Sequence, residues 1–471
     1  MRFDNTYARL PETFYAKVSP AGAPKPELLA WNRDLADELG LGHLTEDPAR
    51  LAQVFGGNEL LPGSEPIALA YAGHQFGNFV PQLGDGRALL LGEIVAESGR
   101  RFDVQLKGSG QTPFSRRGDG RSALGPVIRE YLVSEAMHRM GVPTTRALAA
   151  VRTGEQVMRE GVMPGGVLTR IASSHLRVGT FEYFAGLRDK SALQKLADYA
   201  IDRHYPEVAD EETPLVAFFG KVVEVQAKLV AHWMGVGFIH GVMNTDNTSI
   251  SGETIDYGPC AFMDEFDYHK VFSSIDQLGR YAFGQQPPIA HWNLARLAET
   301  LMLLGDEKTL FEEQLARFQP LFEEAFMRRM ALKLGLQSVQ DGDDELITGW
   351  LQLMHDKELD FTLSFRQLAD RVGNEGEARF GEFEQRWRKR LSAQSLSAEE
   401  VRETMNRVNP LFIPRNHQVE RAIEAAIDGD MSVFEELHKV LEKPFEEQPG
   451  FDAYAQPPSP AERVTQTFCG T

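Results

Sequence analysis

Cysteine and long hydrophobic runs are both scarce in this chain. Cys260 and Cys469 are the two cysteines among 471 residues, which is too few for a disulfide framework and favours a reducing, cytoplasmic environment. No apolar run approaches the ~20 residues of a membrane span, and the first residues lack the pattern of a signal or transit peptide. The sequence therefore predicts a cytoplasmic protein that has no membrane partner.

Positive charge is also in short supply. The chain has 49 Lys and Arg against 68 Asp and Glu, so its formal net charge is −19 at pH 7. A nucleic-acid-binding protein needs a basic surface that displaces counterions from phosphates, and this balance argues against nucleic acid as a partner. A small basic pocket for a single nucleotide remains compatible with the composition.

Strand patterns come first along the chain and helical patterns follow. Strands are predicted at 88–95, 102–107, 146–151 and 166–171, and helices at 28–39, 125–140 and 215–234. This order predicts an α+β fold with two lobes, of which the first is small and β-rich and the second is helical. We divide the chain into an N-terminal extension (1–70), a first lobe (71–185), a second lobe (186–290) and a C-terminal helical region with a tail (291–471).

The most informative motif runs from His240 to Asn247 and is followed by Asp256-Tyr257-Gly258. The spacing matches the catalytic loop H-R-D-x-x-x-x-N and the D-F-G element of protein kinases. Asn247 and Asp256, on adjacent strands of a hairpin, would offer hard oxygen ligands for Mg²⁺. His240 is expected to hydrogen-bond within the loop rather than to carry a proton. The motif makes the two-lobed fold a protein-kinase-like one.

Other kinase-like parts occur upstream in the expected order. Gly84 and Gly86, followed by Arg87, resemble a shortened glycine loop whose backbone N–H groups approach phosphate. Lys107 ends a strand, where a kinase places its phosphate-binding lysine. Glu130 lies 23 residues further on, on the next helix, and is expected to pair with Lys107. Glu135 competes for that role but is expected to be a solvated helix residue.

Val242 occupies the place where a kinase has its catalytic aspartate. An isopropyl group accepts no proton, so either the protein has lost catalysis or another group is the base and the transferred group differs. Asp246 is the nearest replacement carboxylate. A phosphotransferase and a non-catalytic nucleotide-binding pseudokinase scaffold therefore remain open as alternatives.

Three stretches of the sequence, 105–116, 240–247 and 256–259, resemble the selenoprotein O family, and the similarity covers nearly the whole chain. That family has a protein-kinase-like fold and transfers AMP from ATP to Ser, Thr or Tyr hydroxyls of other proteins. Its ATP is bound in an inverted orientation, so that the α-phosphate faces the acceptor. The resemblance implies a protein adenylyltransferase that uses ATP as substrate and Mg²⁺ or Mn²⁺ as cofactor, and releases pyrophosphate.

The resemblance also implies roles for individual residues. The nucleotide would be contacted by Gly84, Gly86, Arg87, Lys107, Asp119, Gly120, Arg170, Arg177 and Asp256. Asn247 and Asp256 would bind the metal ion, Asp246 would be the general base, and Glu130 would orient Lys107. Without the resemblance, Asp119 is typical of a turn former, and a helical segment between Arg170 and Arg177 would make both surface residues.

The C-terminal thiol is a further expectation from the resemblance. Cys469 lies near the C-terminus, where some members of that family carry selenocysteine. A regulatory disulfide between Cys469 and Cys260 would couple oxidation to the geometry after Asp256.

Overall fold

A large antiparallel sheet dominates the N-terminal part of the chain, in a computed structural model that describes residues 2–159, 161–305, 307–374 and 376–468. The strands of the described residues are β1 (Arg2–Phe3), β2 (Tyr15–Lys17), β3 (Glu27–Trp31), β4 (Ile67–Leu69), β5 (Gly73–Gln75), β6 (Asn78–Val80), β7 (Ala88–Val95), β8 (Arg101–Lys107), β9 (Ser122–Ala123), β10 (Arg146–Met158), β11 (Val162–Ala172), β12 (Phe238–Ile239) and β13 (Ala261–Phe262). The order in the large sheet is β2-β4-β7-β8-β11-β10-β3, with β1 paired to β7 and β9 to β11. The short pairs β5-β6 and β12-β13 stand apart from it.

Helices make up most of the rest of the described chain. They are α1 (Arg33–Glu38), α2 (Pro48–Phe55), α3 (Leu124–Arg139), α4 (Val178–Gly186), α5 (Lys190–His204), α6 (Pro214–Gly235), α7 (Gln286–Leu301), α8 (Lys308–Ala316), α9 (Phe318–Lys333), α10 (Asp343–Asp356), α11 (Phe361–Ala369), α12 (Gly381–Ser392), α13 (Ala398–Val408), α14 (Asn416–Asp428), α15 (Ser432–Leu441) and α16 (Asp452–Ala455). The expected α+β character is thus present as a large antiparallel sheet with many helices. Among the described residues, no helix has both the length and the apolar character needed to cross a bilayer.

Helices cover both faces of the large sheet. Val104 and Leu106 of β8 pack in one hydrophobic cluster with residues of α1 and α2. The other face packs against α3 and joins the larger core that continues into the helical part of the chain. Because side chains alternate along a strand, Gln105 and Lys107 lie on this second face. The alternation in β8 therefore directs a lysine toward the helical part.

Most predicted elements agree with the structure, but the helix expected at 28–39 is wrong. Residues Glu27–Trp31 form β3, which pairs with β10, and α1 begins only at Arg33. The side chain of Asn32 caps α1 by accepting a hydrogen bond from the backbone N–H of Leu35. A long-range strand pairing overrides the helical pattern of this segment, as tertiary context often does.

Both ends of the described chain contact the central parts of the fold. Strands β1 to β4 come from the first 70 residues and join the large sheet. Near the other end, Thr467 is buried, bridges to Ser273 and donates a hydrogen bond from Oγ1 to the carbonyl of Pro259 at 2.6 Å. The C-terminal tail therefore packs, at Thr467, against the segment that follows Asp256. Cys469 and its expected disulfide with Cys260 lie outside the described residues.

Candidate active site

A cavity of about 350 Å³ lies between the large sheet and the loop that follows α6. It is lined by most of the residues that the sequence singled out: Gly86, Arg87, Lys107, Glu130, Arg170, Arg177, Asp246, Asn247 and Asp256. Val242, the residue in the kinase aspartate position, lines it too. Three of the predicted nucleotide contacts, Gly84, Asp119 and Gly120, are not among its lining residues.

Strand register brings two of the cations together. In the antiparallel pair β8-β11, Arg170 lies opposite Gln105, and Leu168 lies opposite Lys107. Gln105 and Lys107 share one face of β8, and the Gln105 Oε1 atom accepts hydrogen bonds from Arg170 Nη2 at 2.6 Å and Nε at 3.2 Å. The reading of Arg170 as a helix-surface residue is therefore wrong, because it lies on a buried strand.

Asp256 is the point at which the positive charges meet. Its Oδ1 atom lies 2.7 Å from Lys107 Nζ and 2.8 Å from Arg170 Nη1, and its Oδ2 atom lies 3.2 Å from Arg177 Nη1. Burial alone would raise the pKa of Asp256, but the charges of Lys107, Arg170 and Arg177 outweigh it and hold the pKa well below the ordinary value. Asp256 is therefore a carboxylate under all ordinary conditions.

Glu130 completes the charged cluster from α3. Its Oε2 atom lies 2.7 Å from Lys107 Nζ and its Oε1 atom 3.2 Å from Arg170 Nη1. Glu135, one helical turn further on, is buried and pairs instead with Arg146 at 2.7 Å. The expectation that Glu135 is solvated is wrong. Helix α3 thus places Glu130 in the cavity, whereas Glu135 pairs with Arg146 outside it.

Arg177 reaches the cavity from the residue that precedes α4. It occupies the N-cap position of that helix, so it is not part of a helix shared with Arg170. Its guanidinium lies 4.5 Å from the centre of the Tyr71 ring, which is within the range of a cation–π contact. Its Nη1 atom also donates to the backbone carbonyl of Asp246 at 2.8 Å. Arg177 therefore links the backbone of the 240–247 loop to the carboxylate of Asp256.

Asp246 lies in the short 3₁₀ turn Thr245–Asn247 and is buried. Its Oδ1 atom has no hydrogen-bond partner among the described residues, and its Oδ2 atom lies 3.4 Å from Gln75 Nε2. A Cβ atom on Gly73 would come within 2.6 Å of Oδ1, so only glycine leaves room for this carboxylate. Burial raises the pKa of Asp246 to about 7.

The two predicted metal ligands line the same cavity but do not lie on hairpin strands. Asn247 ends the 3₁₀ turn, and Asp256 lies in a loop with a φ of 64°. Nδ2 of Asn247 donates to the carbonyl of Val242 at 2.9 Å, so the amide oxygen is its remaining donor for a cation. No group of three or more His, Cys, Asp or Glu side chains suited to a metal occurs in the described residues. The amide and carboxylate oxygens of Asn247, Asp256 and Asp246 nevertheless suit a hard cation such as Mg²⁺.

The glycine turn at 84–86 is held by backbone hydrogen bonds and close packing, and its predicted contact with phosphate stays a prediction. The backbone N–H groups of Gly84, Asp85 and Gly86 all bond to backbone carbonyls, at 2.8 to 3.0 Å. Gly84 has a φ of 70°, and a Cβ atom there would come within 2.3 Å of the Phe114 ring. Close packing and a positive φ therefore require this glycine.

Asp119 and Gly120 lie elsewhere. Asp119 lines a second cavity, near Arg121 and Glu155, and its carboxylate pairs with Arg159 at 2.8 Å. Its Oδ1 atom also accepts from the backbone N–H of Arg121 at 2.9 Å, which fits the turn-forming interpretation. Gly120 lines neither of these two cavities. The structure therefore does not bring these two residues to Lys107.

Sequence reasoning missed two groups beside the cations. Asp85, between the two glycines, is buried and its Oδ1 atom lies 4.0 Å from Arg177 Nη2. Burial raises the pKa of Asp85 to about 6. Tyr71 lies under the Arg177 guanidinium. Neither residue could be recognised as part of the site from the sequence, because a Gly-Asp-Gly turn and a lone tyrosine are common in surface loops.

The loop around His240 behaves as expected. The imidazole is buried, its Nε2 atom lies 2.9 Å from the carbonyl of Ile255, and its Nδ1 atom accepts from the backbone N–H of Val242 at 3.3 Å. Burial lowers the pKa of His240. A neutral imidazole bonded on both nitrogens fixes the loop and does not carry a proton.

The cavity as a whole combines fixed cations suited to phosphate oxygens, hard oxygen donors and a buried carboxylate, Asp246, that has an unpartnered oxygen. This set defines an enzyme that transfers a group from a nucleotide. The family model described as protein adenylyltransferase SelO matches residues 1–442. The chain belongs to this family, and the predicted family is confirmed.

Curated relatives give the same result. A protein nucleotidyltransferase YdiU from Nitrobacter hamburgensis is 57% identical over 100% of this chain and 96% of its own length. Proteins of the same name from Bradyrhizobium diazoefficiens and Maridesulfovibrio salexigens are 55% and 54% identical over 100% of this chain, and cover 99% and 98% of their own lengths. The predicted enzyme class, a protein nucleotidyltransferase, is confirmed.

Proposed function

We propose that the Lys107 cavity binds ATP in an inverted orientation and transfers its AMP moiety to a Ser, Thr or Tyr hydroxyl of another protein. The observation that carries the proposal is the presence, in one cavity, of three converging cations and a buried carboxylate, Asp246, with an unpartnered oxygen. Guanidinium and ammonium groups bind phosphate oxygens strongly when they are shielded from water. Lys107, Arg170 and Arg177 would hold the β- and γ-phosphates.

The chain's own residues divide the chemistry between them. Arg87 and Gly86 would border the nucleotide, and Asp246 would accept the proton of the acceptor hydroxyl as it attacks the α-phosphorus. The bond to pyrophosphate breaks, and the cations stabilise the charge that develops on this leaving group. Asp119, Gly120 and Gly84 would contact the nucleotide after the segments that carry them move on ATP binding.

A divalent cation fits the donor set of this cavity. Asn247 and Asp256 would hold Mg²⁺ or Mn²⁺, which would neutralise phosphate charge and polarise the α-phosphate. Asp256 would have to give up part of its present contacts with Lys107 and Arg170, since both of its oxygens are engaged. Phosphate oxygens offer these cations a replacement partner.

We also propose that the arrangement is protein-kinase-like. The sheet with α3 supplies Lys107, Arg170 and Glu130, as a small β-rich lobe would, and the loop after α6 supplies Asp246, Asn247 and Asp256, as a helical lobe would. The divisions at 70, 185 and 290 follow from this assignment. A cytoplasmic location is part of the proposal, because the substrate ATP is an intracellular nucleotide.

The decisive experiment compares ATP labelled at the α-phosphate with ATP labelled at the γ-phosphate, in a lysate and on the purified protein itself. We expect protein label from the α-phosphate only, with a mass gain of about 329 Da per site, whereas phosphoryl transfer would give about 80 Da. Asp246→Asn should abolish labelling, and Asp267→Asn, at an exposed carboxylate, should not.

Other outcomes identify the alternatives. Label from the γ-phosphate would mean a phosphotransferase. Absence of label from either position, with ATP still raising the melting temperature, would mean a non-catalytic nucleotide-binding scaffold.

A further inference from the structure

A further cavity, which we call the Arg329 cavity, lies on the side of α6 that faces α9. Its volume is about 730 Å³, and none of its lining residues is shared with the Lys107 cavity. Aliphatic side chains form much of its wall: Val225 and Leu229 from α6, Leu321, Ala325 and Leu332 from α9, and Val408 from α13. A small number of polar groups are placed among them, which is the usual composition of a small-molecule site.

Arg329 lines the Arg329 cavity and has no acidic partner. It is less exposed than Lys228 and Arg328, the other two cations of this cavity. No described residue forms an ion pair or a hydrogen bond with its guanidinium. Burial lowers the pKa of Arg329 to about 10, and no carboxylate opposes that shift. A largely desolvated arginine without a counter-charge is costly to the fold, and an anionic ligand would remove that cost.

His232 adds an unpartnered polar atom to the same wall. The residue is buried, one hydrogen bond links it to the Met140 backbone, and its Nε2 atom has no partner among the described residues. Burial lowers the pKa of His232 to about 3, so the imidazole is neutral at pH 7. Because its single proton is donated to the Met140 carbonyl, Nε2 carries a lone pair, and His232 adds neither a positive charge nor a hydrogen-bond donor beside Arg329.

The charges at the rim do not cancel Arg329. Glu224 lines the cavity but pairs with Lys228 on the same helix. Glu324 and Arg328 are exposed neighbours of opposite sign. The unpaired cation is therefore the dominant electrostatic feature of the interior.

We propose that this cavity binds a small carboxylate that has an aliphatic body. The carboxylate would accept hydrogen bonds from Arg329, and the aliphatic part would pack between α6 and α9. A planar guanidinium matches a carboxylate in two parallel hydrogen bonds. A free inorganic anion would satisfy Arg329 but would leave the apolar wall uncovered.

The site also borders the segment that leads to Asp256. Ser251 and Gly252 line the cavity, and Trp233 Nε1 of α6 donates to Thr254 Oγ1 in the same segment at 2.8 Å. An occupant would thus touch the chain four residues before Asp256 of the charged cluster in the candidate active site.

Calorimetric titration of the full-length protein with sodium octanoate, below its micelle concentration, tests the proposal. We expect saturable binding to the wild type and at least tenfold weaker binding to Arg329→Met, because the variant loses charge-assisted hydrogen bonds. Arg407→Met removes an exposed arginine of α13 that does not line the cavity, and should bind octanoate as the wild type does.

A second variant and a second probe complete the test. Ala325→Trp should fill the apolar part and also weaken octanoate binding, while Arg329 stays in place. Inorganic phosphate should not compete with octanoate at equal concentration. Absence of octanoate binding to the wild type, or equal binding to wild type and Arg329→Met, would overturn the proposal, as would competition by phosphate at equal concentration.

Discussion

At the scale of single residues, Asp256 determines how the charges of the candidate active site are balanced. Three cations from three different elements contact its carboxylate, and Glu130 shares two of them. The cations are therefore held in place by carboxylates before any nucleotide arrives. Phosphate oxygens could replace these contacts without a large movement of the side chains.

Asp256→Asn tests this balance. We expect the free energy of unfolding to fall by about 3 kcal/mol, because removing one partner leaves buried charges uncompensated. Inorganic pyrophosphate should restore part of the loss, since its oxygens can take the place of the carboxylate. Chemical denaturation with and without pyrophosphate measures both effects, and Asp267→Asn is the matched control. An Asp256→Asn variant as stable as the wild type would contradict this account.

A second residue-scale effect concerns the histidine at the end of α5. His204 is partly buried, its Nε2 atom lies 2.7 Å from Ser174 Oγ, and burial with the neighbouring Arg203 lowers its pKa to about 3. In the unfolded chain a histidine has a pKa of about 6.5. Between these values the unfolded state binds more protons, so stability falls as the pH falls from about 6.5 toward 3.

His204→Gln should remove this contribution. We expect the loss of unfolding free energy between pH 7 and pH 4 to be smaller in the variant by about 3 kcal/mol, since each pKa unit corresponds to about 1.4 kcal/mol. Denaturant titrations at both pH values measure the difference. His269→Gln, at an exposed site, should follow the wild type. An unchanged pH dependence in His204→Gln would show that this histidine does not contribute to acid sensitivity.

At the scale of elements, α9 carries two basic side chains, Arg329 and Lys333, toward the interior. Lys333 is buried, and its ammonium lies 4.0 Å from the centre of the Phe365 ring. Burial, with a smaller contribution from Arg329, lowers the pKa of Lys333 well below its ordinary value. The unfolded chain therefore holds a proton that the folded chain gives up, and the stability rises with pH up to about 10.4, the pKa of an unfolded lysine.

Lys333→Met should stabilise the protein at pH 7 by roughly 1 kcal/mol or more, the equivalent of one pKa unit. The gain should shrink as the pH approaches 10. Lys333 then loses its proton in the unfolded chain as well, so burying it costs the wild type less free energy. Denaturation at pH 7 and pH 9.5 measures it. Lys357→Met removes an exposed lysine and should change little. A destabilised Lys333→Met variant would mean that the ammonium makes a needed interaction.

The loop after α6 shows how elements position the site. A buried helix of 22 residues leads into β12, and the pairing of β12 with β13 brings the segments before and after the loop together. Asp246, Asn247 and Asp256 are thus held on one short excursion of the chain. The sheet delivers Lys107 and Arg170 from the opposite side, through strand register.

At the scale of the whole molecule, the first 70 residues are part of the large sheet. Strands β2 and β3 lie at its two ends, beside β4 and β10. Removing them would expose unpaired backbone along β10, which has 13 residues, and exposed strand edges promote aggregation.

Deletion of residues 2–31 should therefore give a protein that aggregates or loses cooperative unfolding. Size-exclusion chromatography and thermal denaturation followed by circular dichroism measure this. Deletion of residues 456–471 is the control, since the described residues of this segment add no strand to the large sheet, and it should leave a folded monomer or oligomer of unchanged size. A cooperative, soluble protein without residues 2–31 would show that the sheet tolerates open ends.

Much of the candidate site followed from the order of motifs along the sequence. The kinase-like series indicated Lys107, Glu130, Asn247 and Asp256, and the structure places all four around one cavity. The backbone N–H groups of the glycine turn are already bonded to the protein itself, and their predicted contact with phosphate stays a prediction. Local patterns indicate which residue types recur, but they do not show which backbone groups are already paired.

The sequence by itself determined the order of most strands and helices through side-chain periodicity and the set of chemically active residue types through motif spacing, and its resemblance to the selenoprotein O family determined the family. Only the tertiary structure decided that Arg170 lies opposite Gln105 in the sheet, that Arg177 comes from a helix cap, that Asp85 and Tyr71 accompany them, and that Asp119 lies in another cavity. Strand register and loop packing join residues that are far apart in the chain. No local pattern encodes those contacts.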